Sequence, residues 1–365
     1  MTQSLPATAT IKGPNGPLNV VLGEAAPEQI LPWCGIVTAA FAPSFPGSAF
    51  LTQEEYLAQH PLTLNQGTRF WCVYLADDPT TLLAVTKTVR RQFLVRDSES
   101  VREETGYCIG YVGTHPDYRR LGLASLLIKH VAEWLDGPAD AAASMLYTSV
   151  GDFYVSQGWD KIPSMISNIT HPSGEFQPVD REGLPSTRLL TDKEIPALCE
   201  RDVAELKQNF DKLAVGANEV HVAVIPSAEM VSWLHIWGDF LNDKLRGGEG
   251  PYPHGAICES ADTWIYWHYG FKHLAIDRVV GQGSPEVLAA LLLDVLEEAR
   301  KWKLPKVAAW EPSPELIKAM DIVSKRAGVE VETVERPNSV TSLRWKNADK
   351  AKKTTLHLNE TYASC

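Results

Sequence analysis

The hydrophobic pattern of the chain switches repeatedly between a period of two and a period near 3.6. Residues 18–22, 68–75, 82–95 and 107–114 read as strands, the second and third joined by the turn Ala-Asp-Asp-Pro-Thr. Residues 27–40 read as a helix with Pro27 suited to its first turn. Leu123, Leu126, Leu127, Val131, Trp134 and Leu135 recur at helical spacing. That spacing predicts a helix opening near Gly122 and stopped by Gly137-Pro138. A strand over 145–148 and a short helix over 152–157, ended by Gly158, follow.

Residues 171–185 are rich in Pro, Gly and charge and read as a linker between a first domain, 1–180, and a second, 186–365. The second begins with a helix over 193–210, a strand over 220–225, a helix over 227–241 and a Gly/Pro loop over 246–253. Strands over 264–269 and 274–280 come next. A helix over 285–302 has Ser284 as N-cap and Pro285 at its first position. A strand over 307–310, a helix over 314–327 and strands over 329–334 and 341–345 complete it. The last third repeats the element order of the first. The mixture predicts an α/β (α+β) fold, a mixed central sheet flanked by helices, with a second domain of related pattern.

Composition narrows the partners. A formal net charge of −11 argues against nucleic acid or an anionic membrane. No run approaches the ~20 apolar residues that span a bilayer, and residues 1–11 lack a basic region followed by an apolar one. The six cysteines are widely spaced without a CxxC pair, and the ten histidines show no HxxH or HExxH, so no metal is expected. These features predict a cytoplasmic, reduced protein. The oligomeric state stays open.

The chemistry concentrates in Tyr111-Val112-Gly113-Thr114-His115-Pro116-Asp117-Tyr118-Arg119-Arg120-Leu121-Gly122-Leu123-Ala124, a strand, a tight loop and a helix start. Gly122 and Ala124 are small enough for backbone to approach a ligand. The first turn of a helix offers unpaired N–H groups and the positive end of its dipole, a ready site for a pyrophosphate. Arg119 and Arg120 add charge. The stretch resembles the acyl-CoA signature of the GNAT superfamily, Arg/Gln-x-x-Gly-x-Gly/Ala, often preceded by His-Pro-x-x. The resemblance implies a GNAT fold, acetyl-CoA as co-substrate held by residues 112–114 and 119–124, and transfer of acetyl to an amine. It also implies that the strand ending at Thr114 splays from its neighbour and that its 112–114 backbone receives the developing oxyanion. Phe153-Tyr154-x-x-x-Gly158-Trp159 resembles the family's Phe-Tyr-x-x-x-Gly-Phe. By that likeness Tyr154 protonates or hydrogen-bonds the departing thiolate. No base is assigned. Glu103 and Glu104 lie in the charged run 96–104, which reads as a solvated loop, and His115 reads equally well as structural.

Further motifs resemble the fungal lysine N-acetyltransferase group, whose members have a second, degenerate GNAT-like domain. They are Val224-Ile-Pro226, Trp233-Leu-His235, Gly255-Ala256, the aromatic strand 264–269 with Phe271, and Asn359-Glu360-x-Tyr362-x-x-Cys365. The strand Thr86-Lys87-Thr88-Val89-Arg90-Arg91 departs from that group's pattern. The resemblance implies free L-lysine or a lysine-like amine as acceptor, with Trp264, Trp267 and Tyr269 as aromatic candidates for its ammonium. The second half lacks an Arg-x-x-Gly-x-Ala loop, and Gly281-x-Gly283 is a poor substitute, so this half is expected to wall the cleft rather than bind CoA. N-myristoyltransferases are similar in having two GNAT-like halves and use a C-terminal carboxylate as base. By that analogy, the tail beyond the basic segment 346–353 would bring the Cys365 carboxylate to the amine. Rival readings on the same fold are an acetyltransferase for protein lysines or secondary-metabolite amines, and a CoA-binding scaffold.

Overall fold

A computed structural model describes residues 6–14, 16–43, 45, 47–170, 179–346 and 353–365. Residues 171–178 of the expected linker and 347–352 of the basic segment lie outside them.

The chain opens with the hairpin β1 (Ala7–Gly13) and β2 (Gly16–Glu24), then helices α1 (Ile30–Phe41) and α2 (Gly47–Leu57). Strand β1, Ala-Thr-Ala-Thr-Ile-Lys-Gly, alternates half-buried and exposed positions with too little hydrophobic contrast to announce itself. Strands β3 (Thr68–Leu75), β4 (Asp78–Arg96) and β5 (Val101–Thr114) extend the sheet antiparallel. The charged run expected as a loop is therefore mostly strand. Only 97–100 turn, with Asp97 accepting the Glu99 and Ser100 amides, while 101–105 pair back onto 92–96. Arg102 supports the hairpin by bridging Asp97 and Glu104 along one edge.

Helix α3 (Leu123–Asp136) carries the chain over to β6 (Ala143–Thr148), which lies parallel to β5. Parallel neighbours need such a crossover, since a tight turn joins only antiparallel strands. The face of α3 with Leu127, Ile128, Val131 and Trp134 is buried against Trp71, Val73 and Leu146 of the sheet. Burial of each large apolar side chain contributes ~1.5–3 kcal/mol. The short helix expected over 152–157 is a 3-10 turn, Val155–Gln157, closed by Gly158 at φ 99°.

The remaining elements are β7 (Asp160–Lys161), β8 (Met165–Thr170), β9 (Arg188–Leu189), α4 (Ile195–Lys212), β10 (Glu219–Val224) and α5 (Ala228–Arg246). After them come β11 (Gly255–Cys258), β12 (Thr263–Tyr269), β13 (Leu274–Val280), α6 (Pro285–Lys301), β14 (Lys306–Trp310) and α7 (Pro314–Ala327). Strands β15 (Glu330–Glu335), β16 (Val340–Trp345) and β17 (Lys353–Leu356) finish the order. The Ser284 hydroxyl accepts the Val287 amide at the start of α6, and Pro285 follows it.

Two sheets result, and they exchange strands across the expected division. One runs β1-β2-β3-β4-β5-β6-β16-β7, with β10 on β4 and β17 on β10. The other runs β15-β8-β14-β13-β12-β11-β9. Strand β8, which precedes the 171–185 segment, belongs to the second sheet, while β10, β16 and β17 from the later half belong to the first. Each half thus covers edges that the other would leave unpaired. The second core packs α6 and α7 on one face of their sheet, around Trp267, Tyr269, Leu292 and Met320. The other face of that sheet meets α4 and α5, through Trp264, Tyr266, Leu198 and Val231. Helix α5 crosses close at Gly238, where a Cβ would sit 2.8 Å from the Tyr269 amide nitrogen.

Candidate active site

Pairing of β5 with β6 runs from Gly106↔Ala143 to Ile109↔Leu146 and stops, although β5 continues to Thr114 and β6 to Thr148. The strands splay there. On its other side β5 slips register against β4 between Val85 and Lys87, so Tyr111 and Val112 bulge opposite Thr86. Tyr111 takes φ 55°, and the Thr86 hydroxyl donates to the Gly110 carbonyl at 2.9 Å. A bulge turns backbone and side chains out of the ladder at one point.

A cavity of about 390 Å³ opens at this splay. Residues 109–112, 146–150 and Tyr154 line it from the first sheet. Trp237 of α5 and His268, His273, Ala275 and Trp310 of the second half line it from the opposite side, and Thr361, Ser364 and Cys365 of the tail close it.

The loop after β5 leads to the start of α3. Arg120 and Gly122 have φ 65° and 78°, and Gly122 caps the helix from the left-handed region. The amides of residues 120–125 donate to no group among the described residues; the first bond back is Leu126 N to Gly122 O. Arg119 and Arg120 are exposed beside them, and a Cβ on Gly122 would meet no atom within 4 Å. The result is an open, cationic run of unpaired amides at the first turn of a helix, the chemistry that fits a pyrophosphate. Gly113 is buried under α1, 3.3 Å from Ile36 Cγ2 by a built Cβ, and holds the strand rather than the loop.

Tyr154 lines the cavity, and its hydroxyl has no hydrogen-bond partner among the described residues. Burial pushes this phenol up from its ordinary value, so it stays protonated through neutral pH. His115 caps the 3-10 turn Pro116–Tyr118 by accepting the Asp117 amide at 3.3 Å.

Every named residue of the tail motif has a defined seat. Asn359 accepts from Thr341 Oγ1 at 2.7 Å and donates to Ser164 Oγ at 2.8 Å. Glu360 and Asp202 both grip Arg278. The buried Tyr362 hydroxyl donates to the Val224 carbonyl at 2.6 Å. Buried Arg91 donates to the Ser364 carbonyl at 2.8 Å. Cys365 Sγ lies 2.9 Å from Cys108 Sγ and against Gly110. The Cys365 thiol is drawn below its ordinary value, first by the hydrogen bond it shares with Cys108, against burial, and then by Arg91 and Lys87. Beneath the same bulge Lys87 is sealed with Glu54 at 2.9 and 3.0 Å, under the Tyr111 ring.

Trp264, Trp267 and Tyr269 are not brought to this cavity. Trp267 and Tyr269 are fully buried against α6, and the Tyr269 hydroxyl is spent on Pro253 O and Glu298. Trp264 packs toward α4 and α5 under Arg201. Strand β12 is buried on both faces, so aromatic content alone could not tell which face meets a ligand. The residue that reaches the cavity is His268, between them. Its signal was a lone polar side chain in an otherwise apolar run, with Asp277 on the next strand to satisfy it.

The second sheet splays too. Pairing of β13 with β14 ends at Ile276↔Ala309 while β13 runs on to Val280, beside a larger cavity of about 490 Å³. Its helix start is closed to an anion, because the Ser284 hydroxyl takes the Val287 amide, Pro285 has no N–H and Glu286 puts a negative charge in the first turn.

This combination of a splayed strand pair, a bulge and an amide-lined helix start defines a GNAT N-acetyltransferase. Residues 37–155 match the profile of the acetyltransferase (GNAT) family, whose co-substrate is acetyl-CoA. Residues 168–365, more than half of the chain, match the LYC1 GNAT-like C-terminal domain. The chain belongs to that family and is an acyl-CoA-dependent N-acyltransferase with a second GNAT-like domain. Among solved structures it is similar to a GCN5-related N-acetyltransferase from Kribbella flavida, at 17% identity and TM-score 0.52, over 89% of this chain and 71% of that one. A GCN5-related N-acetyltransferase from Anabaena variabilis ATCC 29413 matches at 16% and 0.50, over 90% and 73%. At such identities the likeness is one of fold. No curated protein sequence matches the chain. Among the described residues no helix is long and apolar enough to cross a membrane.

Proposed function

We propose that this enzyme acetylates the terminal amine of a small molecule, free L-lysine or a lysine-like compound, in the cavity between the two sheets. The observation that carries the reading is the wall contributed by Trp237, His268, His273 and Trp310. A peptide-binding acetyltransferase needs an open groove, whereas this splay is faced by a second layer of protein. In this reading residues 1–180 hold the chemistry and 186–365 close the acceptor side, the two knitted by exchanged strands. The 120–125 amides with Arg119 and Arg120 hold the diphosphate, the 112–114 backbone receives the carbonyl oxygen, and Tyr154 gives its proton to the sulfur. The rings of Tyr111 and Trp237 offer faces to an ammonium, replacing Trp267 and Tyr269 in that role. Cys365 lines the cavity where the tail meets β5, against Cys108 and Gly110. Six free cysteines suit a reducing compartment, and we place the enzyme in the cytoplasm.

The test is thiol release from acetyl-CoA against L-lysine, ornithine, polyamines and a lysine peptide, for the wild-type chain and Tyr154→Phe. Selective turnover of L-lysine or a similar free amine, with kcat lowered ~100-fold or more in the variant, is expected from loss of a general acid. Preference for the peptide over every free amine would overturn the substrate, and an unchanged kcat the role of Tyr154.

A further inference from the structure

The amine that attacks is an ammonium at neutral pH, so one of its protons must be taken up inside the cavity. Two imidazoles line that cavity, His268 and His273. They differ in what stands behind them. His273 is pushed down to about 4, chiefly by burial and then by His268, Lys306 and Arg246, so it has little hold on a proton. It has no carboxylate partner among the described residues. The Nδ1 atom of His268 lies 2.5 Å from Oδ1 of Asp277, which is itself fully buried on the neighbouring strand β13. That contact assigns the Nδ1 proton to the side facing Asp277 and leaves Nε2 with its lone pair free. His268 Nε2 has no partner among the described residues, and unlike the enclosed Nε2 atoms of His235 and His254 it keeps access to the cavity.

The rest of the surroundings favour this pair. Asp277 Oδ2 lies 3.7 Å from His235 Nε2 on α5. Burial, with His254 and His268, holds His235 well below its ordinary value, so His235 is neutral and does not discharge Asp277. His254 stacks on His235 at 4.2 Å and turns to Asp239. The ring of Trp237 lies 5.4 Å from that of His268 and fixes its plane. Across the cavity stand Tyr147, Tyr154 and Cys365.

We propose that His268 is a catalytic residue, the base that takes the proton from the acceptor ammonium, and that Asp277 is its positioning residue. This inference rests on reading the cavity as the site of acetyl transfer. His268 Nε2 removes one proton from the ammonium. The freed lone pair forms the new C–N bond as the C–S bond breaks toward sulfur. The second nitrogen proton replaces the one that Tyr154 gives to the thiolate. His268 later releases its proton to solvent, so ammonium and thioester yield amide, thiol and one H⁺. Asp277 supports the transient imidazolium and sets the tautomer.

The test is the pH dependence of kcat/KM for thiol release, in the full chain, for wild type, His268→Gln, Asp277→Asn and Tyr154→Phe, using the best amine of the panel. His268→Gln is expected to lower kcat ~100-fold or more, with KM for acetyl-CoA within a few-fold of wild type. Its acid limb should vanish, leaving a rate that climbs with the acceptor's own deprotonation. Asp277→Asn should lower kcat less and displace the limb. A second variant, His268→Ala, should recover rate with added imidazole, which a merely structural role would not allow. Wild-type kcat and an unaltered acid limb in a folded His268→Gln overturn the proposal, as does absence of imidazole rescue. If Tyr154→Phe is impaired while His268→Gln is not, the base assignment alone fails. If neither variant changes turnover, the cavity is not the transfer site.

Discussion

Arg91 is the residue whose removal separates the seating of the tail from the stability of the whole. It is buried, and its side chain donates to Ser364 O at 2.8 Å and more weakly to Ala363 O at 3.4 Å. A hydrogen bond from a charged group contributes ~1.5–3 kcal/mol. In Arg91→Met that contribution leaves the tail, while the desolvation of a buried guanidinium is relieved and its volume stays largely filled. Global stability should therefore change little or rise. Local opening of the tail should become easier by the lost bond, roughly 10- to 150-fold in population at 1.4 kcal/mol per decade. The Ala363 and Ser364 amides, which bond to Glu360 O and Thr361 O, report that opening. Hydrogen exchange of a peptide covering 357–365, with acetyl-CoA turnover measured on the same samples, is the assay. Faster exchange confined to this peptide, with reduced turnover and an unchanged denaturant midpoint, is expected. Exchange identical to wild type in a folded variant would refute the claim that Arg91 seats the tail.

Three other outcomes follow from the same structure. Gly122→Ala introduces a Cβ that meets no protein atom, but at φ 78° it should destabilise by ~1–2 kcal/mol and raise KM for acetyl-CoA; steady-state kinetics with a thermal melt check both. Of the six free cysteines, Cys365 should alkylate first: it is the one not buried, while burial pushes Cys34, Cys72 and Cys199 up to about 12. Its rate should rise with pH below the range of an ordinary thiol, as the thiolate forms, and level above; saturating acetyl-CoA should protect it, and peptide mapping with iodoacetamide reads both. Glu54→Gln strands the buried Lys87 charge and should destabilise by ~3–5 kcal/mol, with most of the loss recovered in Glu54→Gln/Lys87→Met; a single variant that unfolds at the wild-type urea midpoint would show the pair to be dispensable.

Local chemistry made several elements legible from sequence. Ser284-Pro285 starts α6 as its capping chemistry requires. Gly122 stands where a left-handed residue must precede a helix. The apolar stripe from Leu123 to Leu135 faces its sheet because 3.6-residue spacing leaves it nowhere else to go. These are interactions within one turn or one face, and they need no partner from elsewhere in the chain.

What the sequence by itself determined was thus the likeness to GNAT enzymes, the loop-to-helix turn at Gly122 and the long, strongly patterned strands and helices, while β1 and α2 went unread. Tertiary structure alone decided which face of β12 meets the cavity, that 96–104 folds into a hairpin, and that β8 and β16 trade sheets. It also decided that Lys87 and Arg91 of β4, His268 of β12 and Cys365 of the tail, three segments far apart in sequence, gather around one splay in the first sheet. The physical reason is the same in each case. Backbone propensity and periodicity are set by neighbours a few residues away, whereas the seating of an arginine or a tail depends on partners more than a hundred residues distant, such as Ser364 for Arg91. Such partners meet only when the sheets close.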